Sequence, residues 1–202
     1  MGHVVLLGDS IFDNARYVPD RPPVIEQLRQ ALPRGWLASL LAVDGHVTGD
    51  VAAQVKGLPA AATHLVVSAG GNDALGESGI LGEALSLLQE VRARFRGSYR
   101  AMLRALAEAG RPAVVCTVYD SVPRLGPAEQ AALATFNEVI LREAFAAGLP
   151  VIDLRLVCDR PADYSHVSPI EPSAVGGGKI ARVIAEVVTA HDFAAGRSVI
   201  YV

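Results

Sequence analysis

Ser10 follows directly on a short apolar run, in VVLLGDSIFDN (4–14). A serine hydroxyl there can attack an electrophilic carbon if a neighbouring base takes its proton. Gly8 permits a tight turn. A helical turn starting near Ser10 would aim its backbone N–H at a developing oxyanion. The same residue types also serve as plain turn and cap formers, so GDS alone is a weak signal. Three further segments add chemistry. AVDGHVTGD (42–50) carries Gly49, where a bare backbone can approach a ligand, with His46 close by. SAGGND (68–73) carries Asn72, whose side-chain amide can donate to a negative oxygen, followed by Asp73. DYSH places Asp163 and His166 three residues apart. These are the carboxylate and imidazole that a serine nucleophile needs as orienting group and base.

Such residues must be held by a scaffold, and the chain alternates short apolar runs with longer periodic ones. Strands are expected at 3–8, 37–43, 64–69, 113–119 and 151–156, all short apolar runs bounded by turn signals. Helices are expected at 23–32, which opens with Pro, and at 49–58. The stretch 80–109 reads as one helix with a break near Gly97, or as two. A helix over 127–148 ends in Gly, and a last one starts with Ser173 as its N-cap and runs to about Thr189. Five strands with crossover helices imply an α/β three-layer sandwich. Its parallel sheet takes the flavodoxin-like order 2-1-3-4-5, as one domain over 1–202, and the tail GRSVIYV can add a short edge strand. In such sheets sites form at the carboxyl ends of strands. Those ends deliver Asp9 and Ser10, the His46–Gly49 loop, and Asn72 with Asp73.

Composition excludes several classes. With 51% hydrophobic and 19% charged residues the chain is globular, and its net charge of −3 gives no case for nucleic acid or an anionic membrane. No apolar run approaches the length of a membrane span. The start MGHVVLLGDS reads as an immediate strand, so a cytoplasmic location is the default expectation. Cys116 and Cys158 read as buried thiols, and no ligand spacing calls for a metal or another cofactor. GGGK (176–179) lacks the first Gly and the Ser/Thr of a phosphate loop.

The chain resembles the SGNH hydrolases, the GDSL esterase and lipase family. The resemblance rests on GDS with Ser10, TGD with Gly49 and GGND with Asn72, in that order at successive strand ends. It implies a cofactor-free hydrolase of carboxylic esters, with a small-molecule ester as substrate. By the same resemblance Ser10 is the nucleophile, and the Ser10 N–H, the Gly49 N–H and the Asn72 amide form the oxyanion hole. Gly45 is a rival to Gly49 in the loosely matched second block. Asp9, His46 and Asp73 are assigned to substrate contact. The nearest alternatives are a carbohydrate or thioester deacylase on the same fold, or a binding protein with a decayed site.

The family's last block, D-x-x-H followed by a Pro-Ser helix start, matches in two ways. By residue type it is Asp163 and His166. Aligned on the helix start PSAVGG, it puts Glu171 where His belongs and Ser168 where Asp belongs. Chemistry favours His166 as base and Asp163 as its orienter. Imidazole titrates near neutral pH, whereas an ordinary Glu is a poor base unless burial raises its pKa.

Overall fold

The computed structural model describes residues 2–81 and 85–202, without the side chains of 77–81 and 85–87. Six parallel strands form one sheet in the order β2-β1-β3-β4-β5-β6. They are β1 (His3–Gly8), β2 (Leu37–Leu40), β3 (His64–Ser68), β4 (Ala113–Cys116), β5 (Val151–Ile152) and β6 (Ile200–Tyr201). The first five follow the expected order, and the tail supplies the sixth.

Strand alternation divides the core. Val4 and Leu6 of β1 face a cluster with Ile25 and Leu28 of α1 (Val24–Ala31) and Ile180 and Ile184 of α7 (Ala174–Ala190). Val5 and Leu7 face the opposite cluster, with Phe95 and Met102 of α4 (Leu85–Glu108) and Phe136 and Ile140 of α5 (Pro127–Ala146). The short α2 (Val51–Lys56) packs on the second face, where Val51 is buried. A helix on each face of a parallel sheet hides both rows of side chains, which is why the strands read as continuous apolar runs.

The differences from expectation have local causes. The stretch 71–81 is helical as α3 (Gly71–Leu81), so the GGND segment itself opens a helix. Residues 82–84, within the expected 80–109 helix, lie outside the described residues. Farther on, α4 runs through Gly97 without a break. A mid-helix Gly costs about 1 kcal/mol. Burying Val91, Phe95, Tyr99, Met102 and Leu106 at helical spacing outweighs it, at about 1.5–3 kcal/mol per large side chain. Strand β5 is shorter than 151–156 because Asp153 caps a four-residue helix, α6 (Leu154–Val157), by accepting from Arg155 N–H. Strand β4 stops at Cys116 because Asn137 takes over the pairing. Its amide accepts from Val118 N–H (2.8 Å) and donates to Val118 C=O (2.7 Å). No helix among the described residues is long and apolar enough to cross a membrane.

Candidate active site

The chain leaves β1 through Gly8, whose φ is +119°. A Cβ there would lie 1.7 Å from the Ser68 carbonyl oxygen, so only glycine allows this contact. Phe12 and Asp13 N–H groups then donate to the Asp9 carbonyl, which opens a helical turn at Ser10. At the first position of such a turn a backbone N–H has no intrahelical acceptor, so the Ser10 N–H is available to a ligand.

The first three sequence blocks are tied together by side-chain amides and one carboxylate. Gln54 of α2 accepts from Gly8 N–H (2.7 Å), donates to Gly8 C=O (2.8 Å), and lies 2.9 Å from His46 Nδ1. The His46 carbonyl accepts from Asn72 Nδ2 (2.8 Å), and Asp73 accepts from both the N–H and the hydroxyl of Thr48. His46 and Asp73, the expected substrate contacts, take part in this network. Asp73 and the Nδ1 and carbonyl of His46 are engaged inside the scaffold, and neither residue lines the pocket at Ser10. Gly49 stands exposed in the 3-10 turn Thr48–Asp50 and does not line that pocket either. Sequence reasoning missed Gln54, because one polar residue on a short helix carries no signal of what it will meet.

The pocket has an empty volume of about 510 Å³, part of it open to solvent. Its polar edge consists of Asp9, Ser10, Ser68, Asn72 and Glu171. Its apolar wall includes Ile11, Val118, Val122, Leu125 and Leu133, with Leu75 and Ile170 at partly exposed positions. A mostly apolar lining with a few convergent polar groups is that of a small-molecule site.

Glu171, not His166, is the residue that joins Ser10. It is 4% exposed and stands two residues before Ser173, which caps α7 by accepting from Val175 and Gly176 N–H. Its backbone is fixed on both sides. Glu171 N–H donates to Ser168 C=O, its carbonyl accepts from Ser165 N–H, and Tyr119 Oη donates to Ile170 C=O at 2.7 Å. Burial raises the Glu171 carboxyl to about 7, a hydrogen bond with Ser10 pulls it back, and Asp44 pushes it up. Asp9 is 3% exposed and is raised to about 8 by burial first. The Ile11 N–H lowers it, and the charges of Glu171 and Asp73 raise it.

The Asp163–His166 pair does not form. Asp163 ends the 3-10 turn Pro161–Asp163 and turns its carboxylate back to accept from Arg160 N–H (3.0 Å) and Lys179 Nζ (2.7 Å). The Ser165 hydroxyl anchors the following loop on the Tyr17 carbonyl, and His166 is exposed in a separate depression with Tyr17, Asp20 and Arg21. The Asp163 carboxylate pairs with Lys179 and the Arg160 N–H, and His166 is not among its partners. The alignment on the helix start therefore describes this chain better than the alignment on residue type.

The family model of the GDSL-like lipases and acylhydrolases matches residues 6–176, from β1 to the start of α7. No curated protein sequence matches the chain. A lipase from a goat rumen metagenome superposes with a TM-score of 0.72 at 19% identity, over 90% of this chain and 94% of its own. A lipolytic G-D-S-L family member from Veillonella parvula superposes with a TM-score of 0.71 at 13% identity, over 95% and 100%. A variant of an acetyl xylan esterase from Geobacillus stearothermophilus gives 0.67 at 15% identity, over 91% and 92%. The match over most of the length, with the sheet order and the block order, shows that this chain belongs to the GDSL-like lipase/acylhydrolase family of hydrolases.

Proposed function

We propose that the protein hydrolyses carboxylic esters of small apolar acyl groups, with Ser10 as nucleophile and Glu171 as its base. The observation that carries this reading is the buried Glu171 carboxyl, which lines the same pocket as Ser10 and is raised to about 7 by burial while Ser10 beside it pulls it back. A base titrating near the working pH is the one general base catalysis favours.

In the first half-reaction the Ser10 hydroxyl proton passes to Glu171 as Oγ bonds to the carbonyl carbon. The carbonyl electron pair moves onto oxygen, which receives hydrogen bonds from the Ser10 N–H and the Asn72 amide. Asn72 gives one Nδ2–H to His46 C=O, and its second N–H remains for the oxyanion. The tetrahedral centre collapses, the bond to the alcohol oxygen breaks, and the alcohol leaves with the proton from Glu171. Water then repeats the sequence on the acyl-Ser10 ester and restores the enzyme. Val118, Val122, Leu125 and Leu133 supply an apolar wall for the acyl chain. The buried, unpaired cysteines fit work in a reducing, cytoplasmic compartment.

The test is hydrolysis of p-nitrophenyl acetate, butyrate and octanoate, together with fluorophosphonate labelling read by peptide mass. The expected result is turnover favouring the shorter apolar acyl groups and a label on Ser10, with both lost in Ser10→Ala. Absence of turnover and label in the wild type would favour a binding protein. Turnover confined to acetylated sugars or acyl thioesters would redirect the substrate class.

A further inference from the structure

Glu171 is not the only carboxyl in the pocket, and its neighbour has been left without a partner of opposite charge. Asp9 precedes the nucleophile and lines the same cavity. Its Oδ1 accepts from Ile11 N–H at 3.1 Å. Its Oδ2 faces α3, 4.0 Å from where a Cβ on Gly71 would stand. The groups that face Asp9 from the surrounding elements are Glu171, Asp73, Cys116 and Tyr119. Those that face Glu171 are Ser10, Asp44, Tyr17 and Tyr119. None of these is a cation, and among the described residues no Lys, Arg or His forms an ion pair with either carboxyl. Two buried carboxyls lining one pocket with no cation oppose each other's ionisation.

We propose that Asp9 and Glu171 share one negative charge, with Asp9 holding the proton while Glu171 carries the charge beside Ser10. Geometry sets the order. Glu171 is the less deeply buried of the two and has the Ser10 hydroxyl beside it, whereas Asp9 is wholly enclosed among acidic neighbours with backbone N–H groups beside its carboxylate. Asp9 thus acts through Glu171, as a positioning residue. While it is neutral, the base faces only one charge in the pocket, its own. When it ionises, two negative charges oppose the oxyanion forming next to Ser10. The inference rests on the reading of Glu171 as base, and it predicts an upper limit to the working pH as well as a lower one. The directions agree, with Glu171 raised to about 7 and Asp9 to about 8.

The test compares the pH–rate profile of kcat/KM for p-nitrophenyl butyrate in wild type and Asp9→Asn, whose side chain stays neutral. The wild type is expected to rise through about 7 and to fall through about 8. In Asp9→Asn the falling limb disappears, so the variant-to-wild-type rate ratio at pH 9 is about tenfold its value at pH 7. A falling limb that persists in Asp9→Asn overturns the proposal. Folding of the variant is bypassed by a second measurement, the carboxyl ¹³C shift of Asp9 in wild type. A titration well above that of free aspartate supports a held proton, and an Asp9 ionised by pH 5 overturns it. This readout needs no turnover. If the wild type proves inactive on esters, the catalytic reading fails while the carbon titration still decides where the proton is.

Discussion

Two buried carboxyls in the segment leading into α7 have opposite surroundings. Asp163 is 1% exposed and its charge is matched by Lys179 at 2.7 Å and by Arg160 N–H. Glu171 is 4% exposed, has no cation partner among the described residues, and lines the same pocket as Ser10. Burial alone does not mark a functional group. Asp163 is a balanced charge that ties a turn to a helix, with Lys179 and Arg160 rather than His166 as its partners. Glu171 is held in a strained electrostatic state, and such a group in a cleft is a candidate for chemistry.

The sharpest way to break this contrast is to remove the two rival bases separately. Glu171→Gln keeps shape and hydrogen bonding but cannot take a proton, and it is expected to lower kcat by about 10²–10⁴. His166→Ala, at an exposed position in another depression, is expected to change kcat by less than about twofold. Steady-state hydrolysis of p-nitrophenyl butyrate measures both. The reverse outcome, a large loss in His166→Ala with Glu171→Gln nearly intact, would mean that the loop brings the imidazole to Ser10 when substrate binds.

The second prediction concerns the other carboxyl. Lys179→Met leaves Asp163 buried with only a backbone partner for its charge. Breaking one side of such a pair costs about 3 kcal/mol of stability, since Lys179 keeps some contact with water. Urea unfolding measures the loss. Adding Asp163→Asn to Lys179→Met should recover much of it. A loss below about 0.5 kcal/mol would show that the pair is not what holds this turn. The pH dependence of esterase activity should stay with Glu171 in either variant.

The fold was legible in the sequence because apolar runs and turn residues act locally. Strand β1 coincides with its expected range 3–8, and Ser173 caps α7 as its spacing with PSAVGG suggested. The meeting of Ser10 and Asn72 at one pocket has the same cause, since both sit at strand ends that any parallel sheet gathers at one edge. The proposed base was not legible. Asp163 and His166 have a persuasive spacing, yet the choice depended on Lys179, sixteen residues beyond Asp163 on α7, claiming the carboxylate. It also depended on burial lifting Glu171 out of the ordinary carboxylate range, which no residue type encodes. Gln54 escaped notice because its value lies in meeting Gly8 and His46 at once, from a helix far along the chain.

The smallest effect is the most diagnostic of Glu171's state. Its folded pKa of about 7 lies above the ordinary value of 4.5. Below about 4.5 folded and unfolded chains both hold the proton, and the group contributes nothing to pH dependence. As pH rises from 4.5 to 7 the unfolded chain releases the proton and the folded one keeps it, so the unfolded state gains and stability falls. Above 7 both have released it and the penalty stays constant. The shift bounds the penalty at about 3 kcal/mol, and the open mouth of the pocket brings it to about 2 kcal/mol. Glu171→Gln removes this loss, so its stability relative to wild type should climb by that amount between pH 4.5 and 7.5. Stopping at pH 7.5 limits the contribution of Asp9, whose own release comes later. Urea midpoints at half-unit steps of pH resolve the climb. A flat difference would mean that Glu171 is already ionised at pH 5. A carboxylate that ionises so readily is too weak a base for a serine hydroxyl, and the search for the proton acceptor would then return to His166.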